Sequence, residues 1–138
     1  MQRNELVRQV ATAFAACSRV IGNDVDERVR PSGLTGPLAE LLWNLDPESS
    51  RPAMKDLALA MHCDRSNVTT LVERLAALGL VDRAEDPLDR RSRIVTLTPQ
   101  GRATRARTAD TLAEDSAFAT LSDRDLVELG RLLAALGA

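Results

Sequence analysis

Leu80 to Gly101 reads LVDRAEDPLDRRSRIVTLTPQG. Two short β-type runs, Leu80 to Arg83 and Ile94 to Leu97, flank a polar tip that holds Pro87 and the cluster Asp89, Arg90, Arg91 and Arg93. β-branched residues favour strands, and Pro and Asp favour the turn between them. The pattern therefore predicts an antiparallel hairpin with a basic tip. Just upstream lies a helix-sized segment with Ser66, Asn67, Thr69 and Thr70 near its start.

That upstream segment runs from Arg65 to about Leu78 and stops at Gly79, a natural residue for a helix C-terminus. Val68, Leu71, Val72, Leu75 and Leu78 form one apolar stripe; Arg65, Ser66, Thr69, Thr70 and Glu73 lie opposite, with Asn67 and Arg74 towards the edge. Asp64 is placed to cap the free N–H groups at its start. Before it, Met54 to Met61 reads as a short helix broken at His62-Cys63-Asp64, and Asp46 to Pro52 reads as a loop. Thr35 is the expected N-cap of an earlier helix with Leu38, Leu41, Leu42, Leu45 and Trp43. Leu6, Val10, Ala13, Phe14, Cys17, Val20 and Ile21 recur at spacings of three and four, which predicts an amphipathic helix from about 3 to 29. Pro31 and Gly33 oppose its continuation.

Downstream, Thr98-Pro99 starts another helix with Pro in its first turn. It extends to about Phe118 on Ala-rich propensity more than on an apolar stripe. Ser122 caps a last helix lined by Leu126, Leu129, Leu132, Leu133 and Leu136. The order is four helices, a hairpin and two helices, within a length that suits one domain with helical extensions.

The chain of 138 residues is 44% hydrophobic, with no apolar run long enough to span a membrane and no apolar leader after Met1. A cytoplasmic location is the expectation. The net charge of −2 argues against a general nucleic-acid coat, but charge distribution matters more than the sum. From Arg90 to Arg107 there are six Arg (90, 91, 93, 102, 105 and 107) and no acid. A focused basic window on an acidic body suits site-selective binding of DNA. Cys17, Cys63 and the single His62 match no metal-ligand spacing, so no metal or other cofactor is expected. No Ser/His/Asp set or phosphate loop suggests an enzyme.

A polar-headed helix followed by an Arg-tipped hairpin is the pairing found in a winged helix-turn-helix, which sets a helix and a wing into adjacent grooves of a duplex. At this level the sequence resembles the MarR family of bacterial transcriptional regulators. The resemblance is carried by DPLDRRSRIVTLTPQG (Asp86 to Gly101), extends back through Leu57 to Arg83 and forward to Leu121–Leu136, and is looser over Gly33 to Leu45. It implies a mainly α fold with a small β-hairpin wing: an N-terminal dimerisation helix over 1–30, a winged helix-turn-helix over 31–98, and C-terminal dimerisation helices over 99–138. It also implies a homodimer on a pseudo-palindromic operator, usually a repressor, released by a small-molecule effector or an oxidant. The alternative is a winged-helix protein-interaction module that has lost DNA binding.

Reading sequence in the major groove needs side chains that reach base edges. Arg65 suits guanine, Asn67 suits adenine, the methyls of Thr69 or Thr70 suit thymine, and Ser66 suits a base or phosphate; Arg74 completes the helix set. In the wing, Asp89 and Arg91 match the family's Asp-x-Arg pair, in which the carboxylate holds the guanidinium extended for the minor groove. Arg90 and Arg93 are assigned to phosphates or to bracing the hairpin. Thr35, Pro37 and Arg51 are further candidates for backbone contact. Family effector pockets lie between the dimerisation helices and the winged lobe, which nominates Phe14, Cys17, Val20, Leu42, Trp43 and Met61, with plain core packing as the competing role. The family's peroxide-sensing branch carries its reactive Cys nearer Ala11 than Cys17, and this chain has no Tyr to assist a thiolate. Leu38 and Asp64 also depart from the family pattern, the latter placing an acid near the DNA face.

Overall fold

The computed structural model describes residues 2–48 and 52–137. Ser49, Ser50 and Arg51, the last a candidate backbone contact, lie outside the described residues, as do the terminal Met1 and Ala138. Helix α1 (Arg3–Val29) gives way to a 3-10 turn (Arg30–Ser32), and Gly33 ends that turn at φ 78°, in the left-handed region that glycine tolerates. Only the C-terminal end of α1 packs on the rest of the protomer: Val29 is buried and Val25 half-buried. The remainder, on a helix about 40 Å long, leaves Leu6, Val10 and Phe14 more than half exposed.

Helix α2 (Gly36–Asn44) starts one residue after Thr35. Thr35 occupies the cap position, but its side chain makes no capping bond; Asp26 of α1 accepts the Gly36 N–H instead, at 2.5 Å. A Cβ at position 36 would stand 2.8 Å from that carboxylate oxygen, so glycine permits the contact. Leu38, Leu41 and Leu42 turn inward and meet Leu57 of α3 (Met54–Ala60) and Val68, Val72 and Leu75 of α4 (Arg65–Ala77). These side chains are buried and form the core of the lobe. Helix α4 ends as its glycine predicts. Gly79, at φ 75°, donates to the Ala76 carbonyl and Leu80 to that of Leu75, the paired bonds of a Schellman motif, with Leu75 and Leu80 both buried.

Strands β1 (Val81–Asp86) and β2 (Asp89–Leu97) form an antiparallel hairpin, longer than the two apolar runs foretold. Ala53 forms an isolated bridge with Ile94, and the Val95 N–H donates to the Pro52 carbonyl, so the chain before α3 lies along β2. Helix α5 (Pro99–Asp115) is stapled to the α4–β1 corner. Thr98 Oγ1 caps it by accepting the Gly101 N–H at 3.0 Å and donates to the Gly79 carbonyl at 2.6 Å. A Cβ on Gly101 would collide with the Leu80 carbonyl oxygen. The Leu-Thr-x-x-Gly run therefore works as a joint: it admits α5 against the root of the wing.

A second 3-10 turn (Ala117–Thr120) leads to α6 (Asp123–Gly137). Ser122 Oγ accepts the Asp125 N–H and donates to the Asp125 carboxylate. Arg131 grips Glu128 through two hydrogen bonds of 2.9 and 2.7 Å, which holds that exposed carboxyl below its usual range. No residue of α6 is buried; Leu126, Leu132, Leu133 and Leu136 all face solvent in the protomer. The result is a compact winged lobe carrying two helices whose apolar stripes the protomer leaves uncovered. Among the described residues, no helix is long and apolar enough to cross a membrane.

Candidate nucleic-acid interface

Helix α4 is pinned from behind by Val68, Val72 and Leu75, each at 0% exposure. This rotation turns Arg65, Ser66, Asn67, Thr70 and Arg74 to solvent and leaves Thr69 half-buried. Thr69 Oγ1 donates to the Arg65 carbonyl at 2.8 Å and Thr70 Oγ1 to that of Ser66 at 3.1 Å. Both hydroxyl protons are thus tied to the helix's own backbone, which leaves the methyls as the groups free to meet a partner. Asp64 stands at the N-cap in an extended conformation, yet its side chain makes no capping bond, contrary to the expectation. Its carboxylate remains exposed at the start of the polar face.

The turn before α4 holds His62 at φ 50° and fastens the Cys63 N–H to the Ala58 carbonyl at 3.1 Å. It is a tight helix-turn-helix corner. Among the described residues, no group of three or more His, Cys, Asp and Glu side chains is arranged to hold a metal.

The wing differs from its expected form in an instructive way. Its tip is the two-residue turn Pro87-Leu88, and Arg90, Arg91 and Arg93 belong to β2. Glu85 pairs with Arg93 and Asp86 with Asp89, so Arg90, Arg91 and Ser92 are extra residues on one strand of the ladder. Such a bulge bends a strand and re-aims its side chains. Asp89 does not form the expected ion pair with Arg91. Its Oδ1 accepts the Arg91 backbone N–H at 3.0 Å, while Asp86 Oδ1 accepts the Leu88 N–H at 2.9 Å. The two acids shape the backbone, and the guanidinium groups of Arg90, Arg91 and Arg93 stay exposed. A longer ion pair of 3.7 Å, Arg83 to Glu73, ties the root of the wing to α4.

The basic window divides in space. Arg105 points inward, donating to the Trp43 carbonyl at 3.0 Å, with its Nε buried and unpartnered among the described residues. Arg107 donates to Thr104 Oγ1 at 3.2 Å. Arg102 borders a cleft of about 330 Å³ between Leu45, Pro52, Ile94 and Leu97. Three of the six Arg therefore serve the wing, and the others belong to α5.

The six nominated effector residues are spread over distinct environments. Phe14, Cys17 and Val20 are exposed on α1, Leu42 lies fully in the core, and Trp43 and Met61 are half-buried. Trp43 borders a recess of about 350 Å³ with Val25, Asp26, Pro37 and Glu40. Sequence reasoning missed two features here. One is the brace in which Trp43 Nε1 donates to Thr108 Oγ1 and Arg105 donates to the Trp43 carbonyl, for which the polar character of α5 was the available signal. The other is Leu88, an apolar residue at a turn.

The sequence model of the MarR family matches residues 32–92. Among solved structures, the transcriptional repressor CouR bound to a 23-mer DNA duplex is 28% identical, with 100% of this chain and 99% of that chain covered and a TM-score of 0.82. A MarR family regulator from Streptomyces coelicolor in complex with DNA is 26% identical over 94% of this chain and 84% of its own, with a TM-score of 0.78. CouR from Rhodococcus jostii RHA1 bound to p-coumaroyl-CoA shares the fold at 23% identity and a TM-score of 0.77, covering 93% of this chain and 91% of that one. No curated protein matches the chain by sequence.

Proposed function

Since the chain belongs to the MarR family of transcriptional regulators, we propose that it is a repressor that binds a pseudo-palindromic operator in double-stranded DNA as a homodimer. The observation that carries this reading is the division of labour within one protomer. One lobe presents an exposed polar helix face and a row of three exposed guanidinium groups. The two terminal helices present the apolar stripes that a second copy would bury.

In this reading residues 31–98 are the DNA-binding lobe, and residues 1–30 and 99–138 are the dimerisation elements. Arg65, Ser66, Asn67, Thr69, Thr70 and Arg74 enter the major groove, and the wing reaches the flanking minor groove with Arg91, while Arg90 and Arg93 meet phosphates. Two-fold symmetry sets the two α4 helices on successive turns of one duplex face. Repression follows from occupancy of a promoter, and one of the two solved relatives bound to DNA is itself named a repressor. The recess beside Trp43 lies where α1 meets α2, so a small molecule seated there would alter the angle between the dimerisation arm and the lobe.

The test is selection of bound duplexes from a random pool by the full chain, with the mass of the complex measured. Two protomers on a two-fold symmetric site support the proposal. Failure to enrich any sequence at low ionic strength favours the interaction module without DNA binding.

A further inference from the structure

Leu88 is 96% exposed, the highest figure for a large apolar side chain among the described residues. It sits at the summit of the wing, where a turn in a soluble protein ordinarily carries a polar residue. The turn is stiff: Pro87 fixes its own φ, and Asp86 Oδ1 holds the Leu88 N–H at 2.9 Å. Of the two flanking acids, Asp86 directs an oxygen to the Leu88 N–H of the turn and Asp89 to the Arg91 N–H of β2. Behind the summit stand the exposed guanidinium groups of Arg90, Arg91 and Arg93.

We propose that Leu88 is a specificity-determining contact, an apolar tip that packs on the floor of the DNA minor groove where the wing enters it. The occupant is fixed by charge complementarity: an uncharged tip backed by three exposed guanidinium groups, with its two flanking acids bonded to backbone N–H groups, matches a groove with apolar deoxyribose walls between two rows of phosphates. The contact rests on the DNA-binding reading above and adds to it a rule for base choice. The guanine 2-amino group projects into the minor groove, whereas A·T pairs leave the floor open. A leucine pressed to the floor excludes that amino group, so the wing positions favour A·T. Because the turn is already held in shape, little conformational freedom is lost on contact.

The experiment uses the tightest duplex that the 138-residue chain selects from a random pool. At the A·T pairs protected by the wing, I·C and G·C are substituted in turn; I·C presents the same minor-groove floor as A·T, and G·C adds the amino group. The wild type is expected to bind the G·C duplex about fivefold to tenfold more weakly than the I·C duplex, the scale of one lost groove contact. Leu88→Ala is expected to weaken binding to the I·C duplex about tenfold, or about 1.4 kcal/mol, and to bring the G·C to I·C ratio close to one. Leu88→Met should restore both values. The slope of log affinity against log salt should stay at its wild-type value in both variants, because no charge is removed. Equal affinity of Leu88→Ala and wild type, or a ratio that survives the substitution, overturns the role of the tip and leaves the DNA-binding reading standing. Selected duplexes that favour G·C under the wing overturn it as well. A pool that yields no bound duplex overturns both.

Discussion

The indole Nε1 of Trp43 donates a 3.0 Å hydrogen bond to Thr108 Oγ1, fastening the first helix of the winged lobe to the helix that leaves it. Thr108 Oγ1 lies 3.0 Å from the Thr104 carbonyl, to which it donates in turn, and Arg105 donates to the carbonyl of Trp43 itself. Both ends of one tryptophan are therefore held by α5. Thr108→Val keeps the shape and removes the bonds, leaving a half-buried indole N–H without its partner. A loss of about 1–2 kcal/mol is expected, read as a lower urea midpoint with an unchanged slope. An unchanged midpoint would show that the link carries no stability.

Gly101→Ala tests the joint between wing and α5. The added methyl meets the Leu80 carbonyl oxygen, which is backbone and cannot swing aside. Overpacking of this kind costs about 1–3 kcal/mol. Chemical denaturation should show that loss, and operator affinity should fall with it because the root of the wing shifts. Wild-type stability would mean that α5 can slide away from the corner without strain.

The division of the basic window predicts two different phenotypes. Arg91→Ala should weaken operator binding by about 1–3 kcal/mol and lower the salt slope by about 1 if it also sits against phosphate charge. Arg105→Gln should reduce stability, because its guanidinium holds the Trp43 carbonyl, and should leave the salt slope unchanged. Titrations of both variants against one duplex at several salt concentrations check the pair. An Arg105 variant that lowers the slope would place that side chain on the DNA.

The hairpin, the end of α4 and the start of α5 were legible because their signals are local: Pro-Asp turn chemistry, β-branched residues, glycine at 79 and Thr-Pro at a helix start; the packing of Gly101 on the Leu80 carbonyl was not. Strand length was not. Residues 84–86 and 89–93 pair or bulge while exposed, apart from the half-buried polar Asp86 and Ser92, so no apolar alternation marks them. The caps divide by context as well. Thr98 caps its own helix, whereas Thr35 yields to Asp26, ten residues before Gly36 in sequence and adjacent to it only after α1 has packed. The inward turn of Arg105 was hidden for the same reason. An Arg in a polar helix reads as surface until the carbonyl of Trp43 is brought beside it. For the candidate DNA contacts, the exposed face of α4 followed directly from the period of Val68, Val72 and Leu75.

The terminal helices carry a prediction of their own. Leu132 and Leu136 contribute nothing to the buried core of the protomer, so Leu132→Glu with Leu136→Glu should leave the winged lobe folded. Burying two unpaired carboxylates in an apolar contact costs several kcal/mol. The dimer dissociation constant should rise by at least about a hundredfold. Sedimentation of the double variant checks this, and a dimer of undiminished stability would move the interface away from α6.

Hydroxyl-radical footprinting of the 138-residue chain on its selected duplex tests the central claim most directly. Two protected half-sites, related by a two-fold axis and centred about 10 bp apart or a multiple of that, each flanked by minor-groove protection from a wing, are the expected result. A single unsymmetrical patch, or uniform protection that salt removes without any preferred site, would contradict it.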